Sequence, residues 1–123
     1  MDTDEKSSDD EIVKVEEILN VKLPKEYVEF LLNFGGGYFA FSNVFSGQSD
    51  SEWYVVLQNE RAQINTNFVA VSDNGAGDYY GFKVVGGICE SKVYIYDHEQ
   101  KSINVTKYAN LYEYLVGVGL HMM

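Results

Sequence analysis

Cysteine occurs once in the 123 residues, at Cys89, so no disulfide can form within the chain. A lone thiol fits a reducing compartment and excludes the class of small secreted scaffolds that need covalent staples. Arginine also occurs once, at Arg61, and Lys plus Arg total 9 against 19 acids. Nucleic-acid binding needs clustered cations to neutralise phosphates, so no nucleic-acid partner is expected. No apolar run approaches the ~20 residues that span a bilayer. The start, MDTDEKSSDDE, is polar and acidic, where a secretory leader would be basic and then apolar. A cytoplasmic protein with no membrane partner is expected. Histidine occurs only at His98 and His121, and HExxH, CxxC and G-x-S-x-G are missing. That removes the common zinc and serine-nucleophile templates.

Hydrophobic residues make up 46% of the chain and aromatics 15%, with 10 Tyr and 7 Phe. Such a chain can bury roughly two-thirds of its unfolded surface around one core. The net charge of −10 is unevenly spread. Residues 1–17 hold eight acids against Lys6 and Lys14, a net −6, which leaves −4 for residues 18–123. Residues 1–8 are expected to form an acidic flexible terminus ahead of a single domain over residues 9–120.

Ile12, Val15 and Ile18/Leu19 recur at helical spacing from Asp9, with three acids in the first turn and Asn20 as the stop. VKLPKEYVEFLLNFGGG predicts a second helix. Pro24 stands at its first position, Tyr27, Phe30, Leu31 and Phe34 form its apolar stripe, and Gly35 ends it. The period then changes to two. YFAFSNVF, WYVVLQN, NFVAVSD, YYGFKVV and KVYIYDH read as strands, with INVT as a further short one. The chain between them is too short for crossover helices, which predicts an antiparallel meander. A last helix is expected near Asn110, with a capping box to Glu113, and short because of Gly117 and Gly119. The fold class is therefore α+β: a mainly antiparallel twisted sheet of about five or six strands, with two N-terminal helices and one C-terminal helix packed against it.

DNGAGDYYGF, residues 73–82, looks most like a ligand loop. Its G-x-G-x-x-x-G spacing misses the dinucleotide fingerprint, and a strand follows where a phosphate site needs a helix N-terminus. A calcium loop starting at Asp73 would need acidic or amide side chains where Gly75 and Gly77 stand. Asp73 and Asp78 can share a cation, but a turn with Asx bonds and positive-φ glycines explains the stretch better. Cys89 with His98 is a conceivable thiol–imidazole dyad, and Asp97 with Glu99 a conceivable carboxylate pair, yet neither pattern is diagnostic. No catalytic residue, metal ligand or cofactor site is assigned, and a non-enzyme is expected. The tyrosines exceed what a core needs: they either cover the sheet under helices and loops or, exposed beside Asp and Glu, form a protein-binding surface. The candidate partner-binding residues are Asp73, Asp78, Tyr79, Tyr80, Asp97, Glu99, Asp50 and Glu52.

Four stretches in order carry a family resemblance: VEEILNVKLPKEYVEFLLNFGGG, FVAVSDNGAGDYYGFKV, SKVYIYDHE and YANLYEYL. Together they resemble the SUKH superfamily, in particular its Smi–Knr group of small α+β domains. The matching motif positions are Leu23, Pro24, Tyr27, Gly36, Gly37, Gly77 and Asp78. The chain departs from the pattern in two places. Tyr96 stands where Trp is common, and the connection between the second strand and Phe68, a polar segment with room for a helical turn at NERA, is short where relatives often carry a longer, partly helical one. The resemblance implies a bacterial immunity protein that binds the C-terminal domain of a polymorphic toxin, often a nuclease, and blocks it. The alternative it implies is a non-enzymatic scaffolding or regulatory module that recruits other proteins.

Overall fold

The computed structural model describes residues 6–35, 37–39, 42–64, 67–73 and 77–121. Helix α1 spans Asp9–Leu19 and starts on a capping box. The Ser8 Oγ accepts from the Glu11 N–H at 3.2 Å, and Glu11 Oε1 accepts from the Ser8 N–H at 2.8 Å. Asn20 ends the helix in the left-handed region, φ 56°. Ser7 is buried, and its N–H donates to the Leu31 carbonyl at 2.9 Å. Of the expected tail, residues 1–5 lie outside the described residues.

Helix α2 spans Lys25–Asn33, with Pro24 one position earlier than predicted, as its N-cap. Tyr27, Phe30 and Leu31 are buried, but Phe34 at the C-cap is 46% exposed. Gly35 follows at φ 83°, the left-handed stop that its position predicted. Gly36 lies outside the described residues.

Six strands form one antiparallel meander in the order β1 Gly37–Phe39, β2 Ser42–Val44, β3 Phe68–Asp73, β4 Tyr79–Val85, β5 Ile88–Asp97 and β6 Ser102–Val105. YFAFSNVF is thus two paired strands and not one, with Gly37 opposite Val44 and Phe39 opposite Ser42. The two residues between them, Ala40 and Phe41, carry no turn signal.

WYVVLQN is not a strand. Residues Val55–Ala62 form helix α3, so the connection before Phe68 is partly helical. Its inward side carries Val55, Val56 and Gln58, all buried. Asn59 beside them accounts for the local choice. Its side-chain amide accepts from the Ala70 N–H and donates to the Ala70 carbonyl, both at 2.8 Å. It thereby closes part of the β3 edge in place of a neighbouring strand.

Helix α4, Leu111–His121, runs through Gly117 and is longer than expected. A Cβ at Gly117 would strike the Tyr108 ring, so this glycine serves close packing and not helix termination. The Glu113 N–H donates to Asn110 Oδ1 at 3.0 Å, but Glu113 reaches back to the Ala109 N–H, one residue before a regular box.

Residues directly opposite in the ladder share a face. Ser72, Tyr80 and Ile95 lie on one face, as do Val69, Phe82 and Val93. Helices α2 and α4 cover this side. The Tyr27 ring sits 6.1 Å from Phe82, Tyr114 sits 4.7 Å from Tyr80, and the Tyr114 and Ser72 hydroxyls meet at 2.9 Å.

Candidate functional site

The other face of the sheet carries two aromatic rows. One runs Ala70, Gly81, Tyr94, Val105, and the next Asp73, Tyr79, Tyr96, Ile103. Phe68 and Lys83 form a shorter row beside them. Gly81 leaves space over the middle strand, and the Phe68 ring lies above it, 6.2 Å from Tyr96. Tyr79, Tyr94, Tyr96 and Ile103 are half-buried, Lys83 is exposed, and Val105 is 61% exposed. The Tyr94 hydroxyl donates to Glu90 Oε1 at 3.0 Å, and the Lys83 ammonium stands 5.7 Å from the Tyr94 ring centre. The bond to Glu90, followed by burial, raises the Tyr94 phenol above its ordinary range. Burial, then the Asp73 charge, does the same for Tyr79. These phenols stay neutral donors: rigid, amphipathic contact area that is cheap in entropy to immobilise.

At one end of these rows the chain turns in an acidic cluster. Gly77 takes φ 99°, and a Cβ there would meet the His98 ring at 3.0–3.2 Å. Asp78 Oδ1 accepts from the His98 backbone N–H at 3.1 Å and contacts His98 Nδ1 at 2.7 Å. The Gly-Asp pair before β4 and the Asp-His-Glu turn after β5 are therefore two halves of one clasp. Asp97 Oδ1 is engaged with the Glu99 and Gln100 N–H groups at 2.9 and 3.1 Å, an Asx turn. Asp78, Asp97 and His98 each place one potential ligand atom within 4.8 Å of the others. The contacts they make with one another and with the backbone already account for that geometry.

The hydrogen bond that His98 donates to the Asp78 carboxylate is the largest influence on His98 and raises its pKa, with burial opposing and the Asp78, Glu99 and Asp97 charges assisting. The folded-state value lies above the unfolded one. The clasp therefore contributes fully below the ordinary imidazole value of about 6.5 and fades as pH rises through the folded value. An NMR titration should show His98 titrating above the ordinary imidazole value in the wild type. Asp78→Asn should bring it back toward the ordinary value. An unchanged His98 midpoint in that variant would rule the clasp out.

The predicted site residues divide into three groups. Asp73 and Tyr79 lie in the second aromatic row, and Asp78, Asp97 and Glu99 surround the turn at its end. Tyr80 lies on the opposite face, stacked on Tyr114. Asp50 and Glu52 are exposed on the loop between β2 and α3, which Gln48 ties to the Lys6 carbonyl at 3.1 Å. Phe68, Lys83, Tyr94, Tyr96 and Val105 were missing from the candidates. Period two from Tyr79 was the signal that could have found their face: strand neighbours two apart, and their cross-strand partners, share one side.

The Cys89–His98 dyad is overturned. Both belong to one extended stretch, Cys89 near the start of β5 and His98 just past its end. At ~3.3 Å per residue that separates them by well over ~20 Å. Burial, then the Glu16 charge, also pushes the Cys89 thiol up to about 12, which makes it a poor nucleophile.

No curated protein matches the chain. A SUKH family model described as "SMI1-KNR4 cell-wall" matches residues 9–115, from the first turn of α1 into α4. That span takes in both helix–glycine and strand–turn motifs whose geometry is given above, and the chain belongs to the SUKH superfamily.

Proposed function

We propose that the protein is an immunity protein, an antitoxin that binds a cognate toxin domain in the cytoplasm and neutralises it by stoichiometric protein–protein inhibition, without catalysis of its own. The observation that carries this reading is the partly open sheet face of Tyr79, Tyr94, Tyr96 and Val105, with Asp73, Asp78, Asp97 and Glu99 at its end. Aromatic anchors with acidic residues at one end suit a basic partner surface such as the active-site face of a nuclease. Family membership is consistent with the role.

The test is growth rescue from any toxin-like C-terminal domain encoded by a neighbouring gene. Dose-dependent survival together with a 1:1 complex on sizing is the expected result, and Tyr94→Ala should weaken that complex at least about tenfold, 1.4 kcal/mol. A stable complex without rescue would favour the alternative, a scaffolding module that recruits proteins without inhibiting them. Neither rescue nor complex from folded protein would sink the proposal.

A further inference from the structure

Asn43 extends the second aromatic row by one strand. It stands opposite Asp73 in the β2–β3 ladder, and Asp73 is followed across the sheet by Tyr79, Tyr96 and Ile103. Its neighbour Val44, opposite Ser72, belongs to the helix-covered side and is fully buried. The pleat therefore places Asn43 on the aromatic face. Only 4% of Asn43 is exposed, and its Oδ1 is enclosed without a hydrogen-bond partner. The other such atoms among the described residues, Ser7 Oγ and Glu26 Oε1, lie ahead of α1 and on α2, off the sheet.

An enclosed carbonyl oxygen that accepts nothing gives up the hydrogen bonds it makes to water in the unfolded chain and recovers none. An apolar side chain of similar shape would avoid that loss, and Val44 and Phe45, both fully buried, make the setting apolar. Natural proteins keep such a cost mainly where function requires it. The neighbouring charge narrows the chemistry. Asp73 is half-buried, and its charge also reaches the Tyr79 phenol on its other side. A neutral acceptor and an anionic one on adjacent strands suit a cation that carries several N–H donors, which lysine and arginine do.

We propose that Asn43 and Asp73 together receive a lysine or arginine side chain of the protein partner, and that Asn43 Oδ1 gains its hydrogen bond only in the complex. The inference rests on the partner reading above and names the chemistry of one anchor on the same face. Oδ1 is enclosed in the free protein, so docking includes a turn of the Asn43 amide toward the cation.

The experiment has two arms, and the first needs no partner. Urea denaturation of the full chain compares Asn43→Leu with Asn104→Leu. Asn104 is exposed on β6, so the same exchange there changes strand propensity without removing an enclosed acceptor. Asn43→Leu should raise the midpoint, and by more than Asn104→Leu. The second arm titrates the toxin domain found by growth rescue. Asn43→Leu should weaken its complex at least about tenfold, and Asn104→Leu should leave it unchanged. Asp73→Asn, which keeps the side-chain shape, should slow association several-fold and flatten its salt dependence. A gain in stability with a loss of affinity from one substitution is an outcome that a merely structural asparagine does not give. A lowered midpoint, or failure of Asn43→Leu to fold, would show the amide to be paired within the domain and overturn the proposal. A raised midpoint with wild-type affinity would overturn it as well and leave the antitoxin reading standing. Absence of any wild-type complex would overturn both.

Discussion

Gly81→Val is expected to cost about 3 kcal/mol or more of folding stability, the upper range for overpacking a core. The reason is space and not backbone conformation, since Gly81 is not among the positive-φ glycines. A Cβ at this position would collide with the Val69 carbonyl oxygen and approach the Phe68 Cζ to 2.8 Å. The first contact is with backbone on the neighbouring strand, so relief requires moving β3 away from β4. The second would displace the ring that bridges the glycine to Tyr96. Val69 on the same strand is itself buried at 4% exposure, so the strand cannot shift without disturbing the core. For a domain of this size the loss corresponds to a fall in Tm on the order of 10 °C. Urea denaturation checks it, with Gly81→Ala as the milder step in the same direction. A loss under about 1 kcal/mol for valine would mean that the strand pair relaxes easily, and that the Phe68 platform is not fixed by this glycine.

The sequence was most legible where local chemistry and tertiary demand agree. Val15 and Phe30 at helical spacing, Asn20 and Gly35 as left-handed stops, and the period-two runs from Phe68 to Asp97 all point one way. It misled where a residue's role is set by distant chain. Val55 and Val56 favour a strand locally, and the polar Gln58 and Asn59 on the inward side hid the helical pattern. Their reason for being inward is the Glu52 carbonyl, which Gln58 Nε2 reaches at 2.9 Å, and the β3 edge, which Asn59 closes. Gly117 looked like a stop because composition does not reveal that Tyr108 folds back against it. In the candidate site, residue type pointed to Tyr79, but adjacency in sequence drew in Tyr80, which the pleat sends to the opposite face. The register that unites Tyr79 with Tyr96 depends on an irregularity in the β4–β5 ladder, where Phe82 faces Val93 but Val84 faces Cys89, so β5 carries extra residues. A bulge inserts a residue without a signature in local composition. The clasp was half visible: Gly77-Asp78 and Asp97-His98-Glu99 each read as a turn, and only the fold brings them together.

Tyr27→Ala is expected to cost about 3–5 kcal/mol, the range for emptying a fully buried aromatic site. Tyr27 is 0% exposed, and its ring packs 6.1 Å from Phe82, so with Phe30 and Leu31 it seats α2 in the core. Its hydroxyl does a second job, donating to the Phe45 carbonyl at 2.8 Å where the chain leaves β2 for the loop to α3. Burial, with a smaller push from Cys89, raises the phenol pKa well above its ordinary value, so the group remains a neutral donor wherever the fold persists. Tyr27→Phe keeps the ring and removes only the donor, leaving a buried carbonyl short of its partner. That penalty is about 1–3 kcal/mol. Tyr112→Phe is the matched comparison: its hydroxyl donates to Glu29 Oε2 at 3.1 Å on the exposed side of α4 and should cost under about 1 kcal/mol. Chemical denaturation of the three variants separates the contributions. If Tyr27→Phe proved as mild as Tyr112→Phe, the tyrosine after Leu23-Pro24 would be explained by ring packing alone. If it falls in the expected range, that motif has a physical reason. Leu23 and Pro24 set the start of α2 so that one phenol, a turn later, reaches across the core and fixes the end of a strand.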